Sequence, residues 1–315
     1  MAPYRILTDS TTDLSPALVE KMNVTVLPLM FTMDGKTYRN TPDEADMPSK
    51  VFYDKVRAGS MPTTSQINPM DFKEAVGPIL AGGEDVLYLA FSSGLSGTYN
   101  NSRIAFAELA EEYPQRKVMC VDTLGASMGE GLLVYLACQQ RDKGKSIEEV
   151  AQWVEENRLR LAHWFTVDDL NHLKRGGRVS GAAAFFGTML SIKPVLHVDD
   201  EGHLIPMEKV RGRRQSLDAQ MCIRDSPCLG QHILALFPAF PFAAGGVYGE
   251  HKICAWLIAC FFHGCEDILD GLFIAGKVGC KAAFIAHRGG KALFFQKRLK
   301  GVEYLCAPAQ GLPKA

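Results

Sequence analysis

Residues 91–99, FSSGLSGTY, set three serines and a threonine around two glycines, directly after the apolar run DVLYLA. Hydroxyls and glycine backbone in one turn are a means of holding oxygen atoms: a phosphate, a scissile acyl group, or a carboxylate that is only carried. A position after a strand and before a helix is where open α/β sheets bind ligands, and N–H groups at the coming helix start favour an anion. Several specific motifs fail here. A Walker A loop needs a lysine after its last glycine, and none is present. A nucleophile elbow needs Gly-x-Ser-x-Gly, whereas Gly94-Leu95-Ser96-Gly97-Thr98 ends in threonine. An ordinary strand-to-helix cap has the same composition, so this segment alone leaves cap and anion site open.

Two further hydroxyl clusters occur. MPTTSQINP, 61–69, reads as a loop carrying Thr63, Thr64, Ser65 and Gln66 in a row, and taken alone it is an ST-turn and cap. TDSTTD, 8–13, follows a strand-like run; Asp9 and Asp13 are too few carboxylates for a hard cation and read as turn and cap residues. His163, His172, His197 and His203 form no His-x-x-His or His-Glu-x-x-His, and no Ser-His-Asp order can be assigned. KVRGRR, 209–214, groups Arg211, Arg213 and Arg214. They form either a solvated strand end, a guanidinium clamp for a carboxylate, or a docking patch for an acidic partner. Three arginines do not make a nucleic-acid surface. The inventory holds hydroxyl loops without a base, a nucleophile pair, a metal cluster or a nucleotide loop. That describes a binder of something amphipathic more than an enzyme.

The elements that must position these loops follow from the pattern. YRILTD, 4–9, reads as a strand, and Ser15 with Pro16 opens a helix as N-cap and first helical residue. VTVLPLMFTMDG, 24–35, is strand-like and closes on Asp-Gly. DVLYLAF, 85–91, and KVMCVD, 117–122, are near-continuous apolar runs, as expected of parallel strands buried on both faces. Helices are expected at about 98–112, over GEGLLVYLACQQRDKG, and over SIEEVAQWVEENRLR with a Ser146–Glu149 capping box. This alternation argues for an open α/β sheet with right-handed crossovers over 1–160. After about 160 the style becomes α+β. AHWFTV, IKPVLHV and LIPMEKV read as strands, the last two joined by the DDEGH turn. A small-residue helix, SGAAAFFGTMLS, is expected after KRGGR. A second domain therefore starts near 161.

Composition limits the rest. The 315 residues allow two domains, and 47% apolar with 22% charged residues is ordinary globular usage. A net charge of −1 draws the molecule to neither nucleic acid nor an anionic membrane. The N-terminus shows no signal-peptide pattern, and the uncharged tract 233–249 holds two prolines and falls short of the ~20 residues of a membrane helix. A cytoplasmic protein is expected.

A compositional break falls near 220. Residues 1–220 hold Cys120 and Cys138, and 221–315 hold the other seven cysteines. Ten Lys and Arg against six Asp and Glu give that tail +4, so the first part carries −5. No Cys-x-x-Cys occurs, and the spacings fit no zinc site. The break starts at MCIRDS, 221–226, for which one back-translation is ATG-TGT-ATA-AGA-GAC-AG, the end of a common transposase-based sequencing adapter. The expectation is that 221–315 derives from adapter and unrelated or frame-shifted DNA; the alternative is a genuine cysteine-rich extension.

Taken in order, ILTDSTTDLS, VLPLMF…DGKTY, MPTTSQINP, FSSGLSGTYNNS, VDDLNHLKRGGRVSGAAAFFGTMLSIKPVL and GHLIPMEKVRGRRQS resemble the DegV family of bacterial fatty-acid-binding proteins over roughly 4–217. The resemblance implies a doubly wound, mostly parallel α/β domain over 1–160. It implies a two-layer α+β domain beginning over 161–220 and left incomplete by the tail, with an acyl chain between the two. It implies a long-chain fatty acid as ligand and no cofactor or metal. The carboxylate would be held by Thr63 or Thr64 and by Ser93 of the loop that also carries Ser92 and Ser96, with Arg211 at the site mouth. It also implies a carrier role. Such proteins are similar to the acyl-carrying subunit of a fatty acid kinase, which presents its ligand to a separate ATP-binding subunit, and the acyl phosphate feeds phospholipid synthesis. The competing readings are a small-molecule kinase or phosphotransfer subunit using the same strand-end loops, and a purely structural or regulatory protein.

Overall fold

The computed structural model describes residues 3–167, 170–179 and 192–224, together with the strands at 253–256, 282–288, 291–297 and 307–308. Residues up to 257 form one compact unit and 258–315 another. In chain order the first unit runs β1 (Tyr4–Asp9), α1 (Pro16–Met22), β2 (Thr25–Leu27), β3 (Leu29–Met33), β4 (Lys36–Asn40), α2 (Ser49–Arg57), β5 (Thr63–Ser65) and α3 (Pro69–Ala81). It continues through β6 (Asp85–Ala90), α4 (Thr98–Glu112), β7 (Val118–Asp122), α5 (Ser127–Asp142), α6 (Ile147–Asn157), β8 (Leu161–Thr166) and α7 (Leu170–Arg175). It closes with β9 (Ile192–Val198), β10 (Leu204–Arg211), α8 (Gly212–Arg224) and β11 (Ile253–Trp256).

The first sheet is parallel, in the order β2-β1-β6-β7. The run DVLYLA of β6 is buried at every position, as its continuous apolarity requires. Its side chains alternate between two cores. Leu87 and Leu89 pack with α1, α5 and α6, while Val86, Tyr88 and Ala90 pack with α3 and α4. Helices therefore cover both faces, the doubly wound arrangement expected for 1–160. Ser15 and Pro16 open α1, and the Ser146–Glu149 capping box opens α6, as the sequence indicates.

Two expectations in the 24–69 region are corrected. The run 24–35 is not one strand. Pro28 has no N–H to donate, and the chain divides there. β2 pairs in parallel with β1, while β3 leaves to pair with β4 through Asp34 and Gly35, whose φ values of 53° and 77° make the left-handed hairpin turn. Within 61–69, Thr63–Ser65 is an edge strand rather than loop, with Phe31 opposite Thr64. Three polar residues in a row carry no apolar alternation, so the sequence holds no signal for this strand.

The second domain is built on a sheet in the order β10-β9-β8-β11, antiparallel except for β8 with β11. The expected hairpin at 199–203 is present, with Gly202 at φ 80°. The small-residue helix expected at 180–191 lies outside the described residues. The second unit carries an antiparallel meander of β12 (Ala282–Arg288), β13 (Lys291–Lys297) and β14 (Ala307–Pro308). Among the described residues no helix is long and apolar enough to cross a membrane.

Candidate ligand site at the strand ends

The loop after β6 is wedged between the carboxyl ends of the parallel sheet and the β9–β10 hairpin. Gly94 lets the hairpin approach: a Cβ there would stand 2.9 Å from the carbonyl oxygens of Glu201 and Gly202. Ser92 is fully buried and donates its hydroxyl to the Gly202 carbonyl at 2.8 Å. Behind the loop, Leu95 joins Val179, Leu196, Val198 and Leu204 in an apolar cluster, with Phe91, Phe165 and Leu173 against it. A polar loop thus fronts an apolar layer shared by both domains.

The backbone donors of residues 91–96 and of Thr98 are already in use. Phe91 N–H donates to Asp9 Oδ2 at 3.1 Å, Ser93 N–H to Asp122 Oδ1 at 3.2 Å, and Gly94 N–H to Ser92 Oγ at 3.2 Å. Ser92 N–H reaches the Gly125 carbonyl, Leu95 and Ser96 N–H reach the Ser92 carbonyl, and Thr98 N–H reaches Ser96 Oγ. Such pairing is the rule for buried backbone, and it removes these seven amides as a cradle for a phosphate or an oxyanion. Among the hydroxyls, Ser96 and Thr98 pair with each other at 2.9 Å. Of Ser92, Ser93, Ser96 and Thr98, only Ser93 is exposed.

Thr63 and Thr64 are exposed on β5. The chain just after them is held once to the loop after β6 and once to α4. Gln66 lies against Gly97, where a Cβ would meet Gln66 Oε1 at 2.1 Å, and Asn101 Nδ2 donates to the Ile67 carbonyl at 2.8 Å. The fold therefore brings the TTSQ and SSGLSG segments together. Arg211 lies at the other end of β10 from the hairpin. It ends β10, about 23 Å by strand rise from the hairpin turn that meets Ser92, and its side chain is exposed. Its backbone N–H donates to Gln215 Oε1 at 2.9 Å.

Three acidic residues organise this region in ways the sequence does not signal. Asp122, buried, takes the N–H groups of Ser93 and Leu124. Asp9 and Glu130 are each 0% exposed. Asp9 accepts from Tyr88 Oη at 2.6 Å, from Phe91 N–H, and from Thr11 N–H at 3.1 Å. Burial, then the neighbouring Asp9 charge, pushes the Glu130 carboxyl well above the usual range. A capping aspartate after β1 is visible in the sequence; its partnership with a glutamate 121 positions later is not. Among the described residues no group of His, Cys, Asp and Glu is placed to hold a metal ion.

A doubly wound parallel sheet, joined across a polar loop and an apolar cluster to a mostly antiparallel sheet, defines a two-domain α/β protein. Known proteins are similar to this chain in architecture and in sequence. A family model described as an uncharacterised protein of the DegV family matches residues 3–225. A DegV domain-containing protein of Clostridium perfringens is 48% identical over 217 residues, covering 69% of this chain and 74% of that one. The chain belongs to the DegV family. Among solved structures, a fatty-acid-binding DegV family protein of Thermus thermophilus aligns with a TM-score of 0.62 at 33% identity, over 81% of this chain and 92% of that one. A stearic-acid-binding protein of Eubacterium ventriosum aligns with a TM-score of 0.63 at 25% identity, over 70% of this chain and 75% of that one.

Proposed function

We propose that this chain binds a long-chain fatty acid, with the carboxylate on the hydroxyls of Ser93 and of Thr63 or Thr64. It presents that carboxylate, in the bacterial cytoplasm, to a separate ATP-binding kinase subunit that forms the acyl phosphate for phospholipid synthesis. The observation that supports this reading is the packing of Gln66 on Gly97, which joins the segment carrying the exposed Thr63 and Thr64 to the loop carrying the exposed Ser93. The fatty-acid-binding relatives with the same fold support it. So does the chemistry. Burial of an acyl chain contributes about 0.8 kcal/mol per CH₂, so ~16 carbons supply ample affinity. The carboxylate still needs donors, because burying it unpaired costs several kcal/mol. With the loop amides in use, neutral hydroxyls remain, and they leave the carboxylate reactive toward a phosphoryl donor. Arg211 takes the part of a cation at the site mouth only if the ligand or partner reaches its end of β10.

We also read 221–315 as foreign to the gene. The family match ends at 225, five residues after the compositional break, which supports this. Resequencing without a transposase adapter is expected to remove the MCIRDS codons; an unbroken read through them refutes it.

Native mass spectrometry with solvent extraction tests the ligand on two proteins: the chain as written, and a version with 221–315 replaced by the matching segment of a relative. A co-purifying fatty acid that is lost in Thr63→Ala and Ser93→Ala is the expected result. A folded replacement protein without lipid overturns the carrier reading. ATP turnover by the protein alone replaces it with a kinase.

A further inference from the structure

The buried group around Thr11 contains one proton fewer than its contacts require. Thr11 Oγ1 lies 2.5 Å from Asp9 Oδ1 and 2.8 Å from Glu130 Oε2. A threonine hydroxyl has one hydrogen to donate, and an ionised carboxylate has none. Both contacts are hydrogen bonds only if one carboxyl is protonated. The surroundings decide which. Asp9 receives donors from Tyr88 Oη and from the N–H groups of Phe91 and Thr11, the environment of an anion. Glu130 has no such set. Its other near neighbour, Thr8 Oγ1 at 3.5 Å, already donates to the Leu89 carbonyl at 2.9 Å. The proton sits on Glu130, which donates to Thr11, which donates to Asp9.

We propose that protonated Glu130 is a positioning residue for the ligand loop. Through Thr11 it holds Asp9 as the one anion of this carboxyl pair, and Asp9 in turn fixes the Phe91 N–H that starts the loop carrying Ser93. The raised titration of Glu130, caused first by burial and then by Asp9, is consistent with this. The titratable groups facing Glu130 are Asp9 at the end of β1, Asp13 at the end of the turn that follows, Tyr88 from β6 and His163 from β8, with the neutral Thr11 hydroxyl between Glu130 and Asp9. No Lys or Arg among the described residues pairs with Glu130. Ionising it would place a second anion against Thr11 and break the chain of donors to Asp9. This inference rests on the fatty-acid reading only in taking Ser93 as the ligand's donor.

The test is amide hydrogen exchange of the peptide spanning 88–97, corrected for intrinsic rate, from pH 6 to 9.5 on the full chain without ligand. Oleic acid binding is measured on the same proteins. In the wild type, loop protection is expected to fall by up to about tenfold per pH unit between the ordinary carboxylate range and the raised titration of Glu130, and to level off above it. Glu130→Gln, a neutral donor of the same shape, should abolish that slope and keep the loop protected. Thr11→Val should lose protection at every pH, and Thr11→Ser should restore it. Equal protection in the wild type and Thr11→Val, or failure of Glu130→Gln to fold, overturns the proposal. If protection follows Glu130 as expected but oleic acid does not bind at any pH, the positioning role stands and the fatty-acid reading falls.

Discussion

The turn after β1 and the loop after β6 are built from the same residue types on adjacent parallel strands, and the fold uses them in opposite ways. In TDSTTD, the hydroxyl of Thr8 donates to Leu89, that of Thr12 donates to the Asp9 carbonyl, and Thr11 links two carboxyls. Ser10 Oγ accepts the Leu29 N–H and so ties the turn to β3. In SSGLSGT, Ser92 is buried against Gly202 and Ser96 pairs with Thr98, but Ser93 is left facing outward. A dense set of hydroxyls therefore marks either a completed network or a ligand position. What separates the two is whether a hydroxyl is left over once the protein's own acceptors are served. Each side of this contrast can be broken separately.

The largest effect is expected where the loop meets the hairpin. Gly202 has φ 80°, and a Cβ on it would stand 2.1 Å from Ser92 Oγ. Gly202→Ala should lower stability by about 3 kcal/mol in urea melts, combining left-handed strain with overpacking. Gly144 has φ 84° and open space around it, so Gly144→Ala should lose only about 1 kcal/mol. Equal losses would show that the hairpin does not rest on Ser92.

His163 gives the next effect. Its ring is 3% exposed, packed on Gly125 and Gly129, and neither nitrogen finds a hydrogen-bond partner among the described residues. Burial pushes its pKa down to about 4 from 6.5, so the folded protein prefers the neutral ring. The unfolded chain then binds the proton more readily, and stability is lost as pH falls from 6.5 toward 4. The loss should be on the order of 3 kcal/mol, at about 1.36 kcal/mol for each tenfold difference in proton affinity between the folded and unfolded chain. His163→Leu, which leaves no polar atom unpaired, should remove this part of the pH dependence in thermal melts between about pH 4 and 7. An unchanged profile would place the acid sensitivity elsewhere.

Ser92→Ala is expected to cost about 1–2 kcal/mol, because it removes a donor from the Gly202 carbonyl and an acceptor from the Gly94 N–H. Urea melts check this. A loss under about 0.5 kcal/mol would show that water replaces the hydroxyl and that Ser92 does not hold the two domains together.

Much of the frame is legible in the sequence, and the reason is periodicity. DVLYLA announces a strand buried on both faces, and the Ser146–Glu149 and Ser15–Pro16 pairs announce their helices. What stays hidden depends on distant partners. Thr63–Ser65 becomes a strand only because β3 offers an edge, and Pro28 sends β3 there. Asp9 reads as a cap from sequence, which it is, since it accepts the Thr11 N–H. Its second role needs Glu130 and Tyr88, which no local pattern links to it. The site loops are visible as composition, but their adjacency rests on Gln66 against Gly97 and on Asn101 bound to the Ile67 carbonyl.

The smallest effect on stability should coincide with the largest effect on ligand. Ser93 is exposed, and its backbone is held by Asp122 through the N–H, which survives any side-chain change. Ser93→Ala should therefore shift urea stability by less than about 0.5 kcal/mol, as exposed substitutions do, while removing the donor proposed for the carboxylate. Thr63→Ala, on an exposed edge strand, should behave alike. The paired measurement is urea melting with quantified fatty acid in extracts of the same preparations. Lipid lost without stability lost puts the ligand on the left-over hydroxyl. Lipid retained in Ser93→Ala but lost in Ser92→Ala would reverse the contrast, making the buried serine the ligand's partner and its bond to Gly202 a substitute held only when the site is empty.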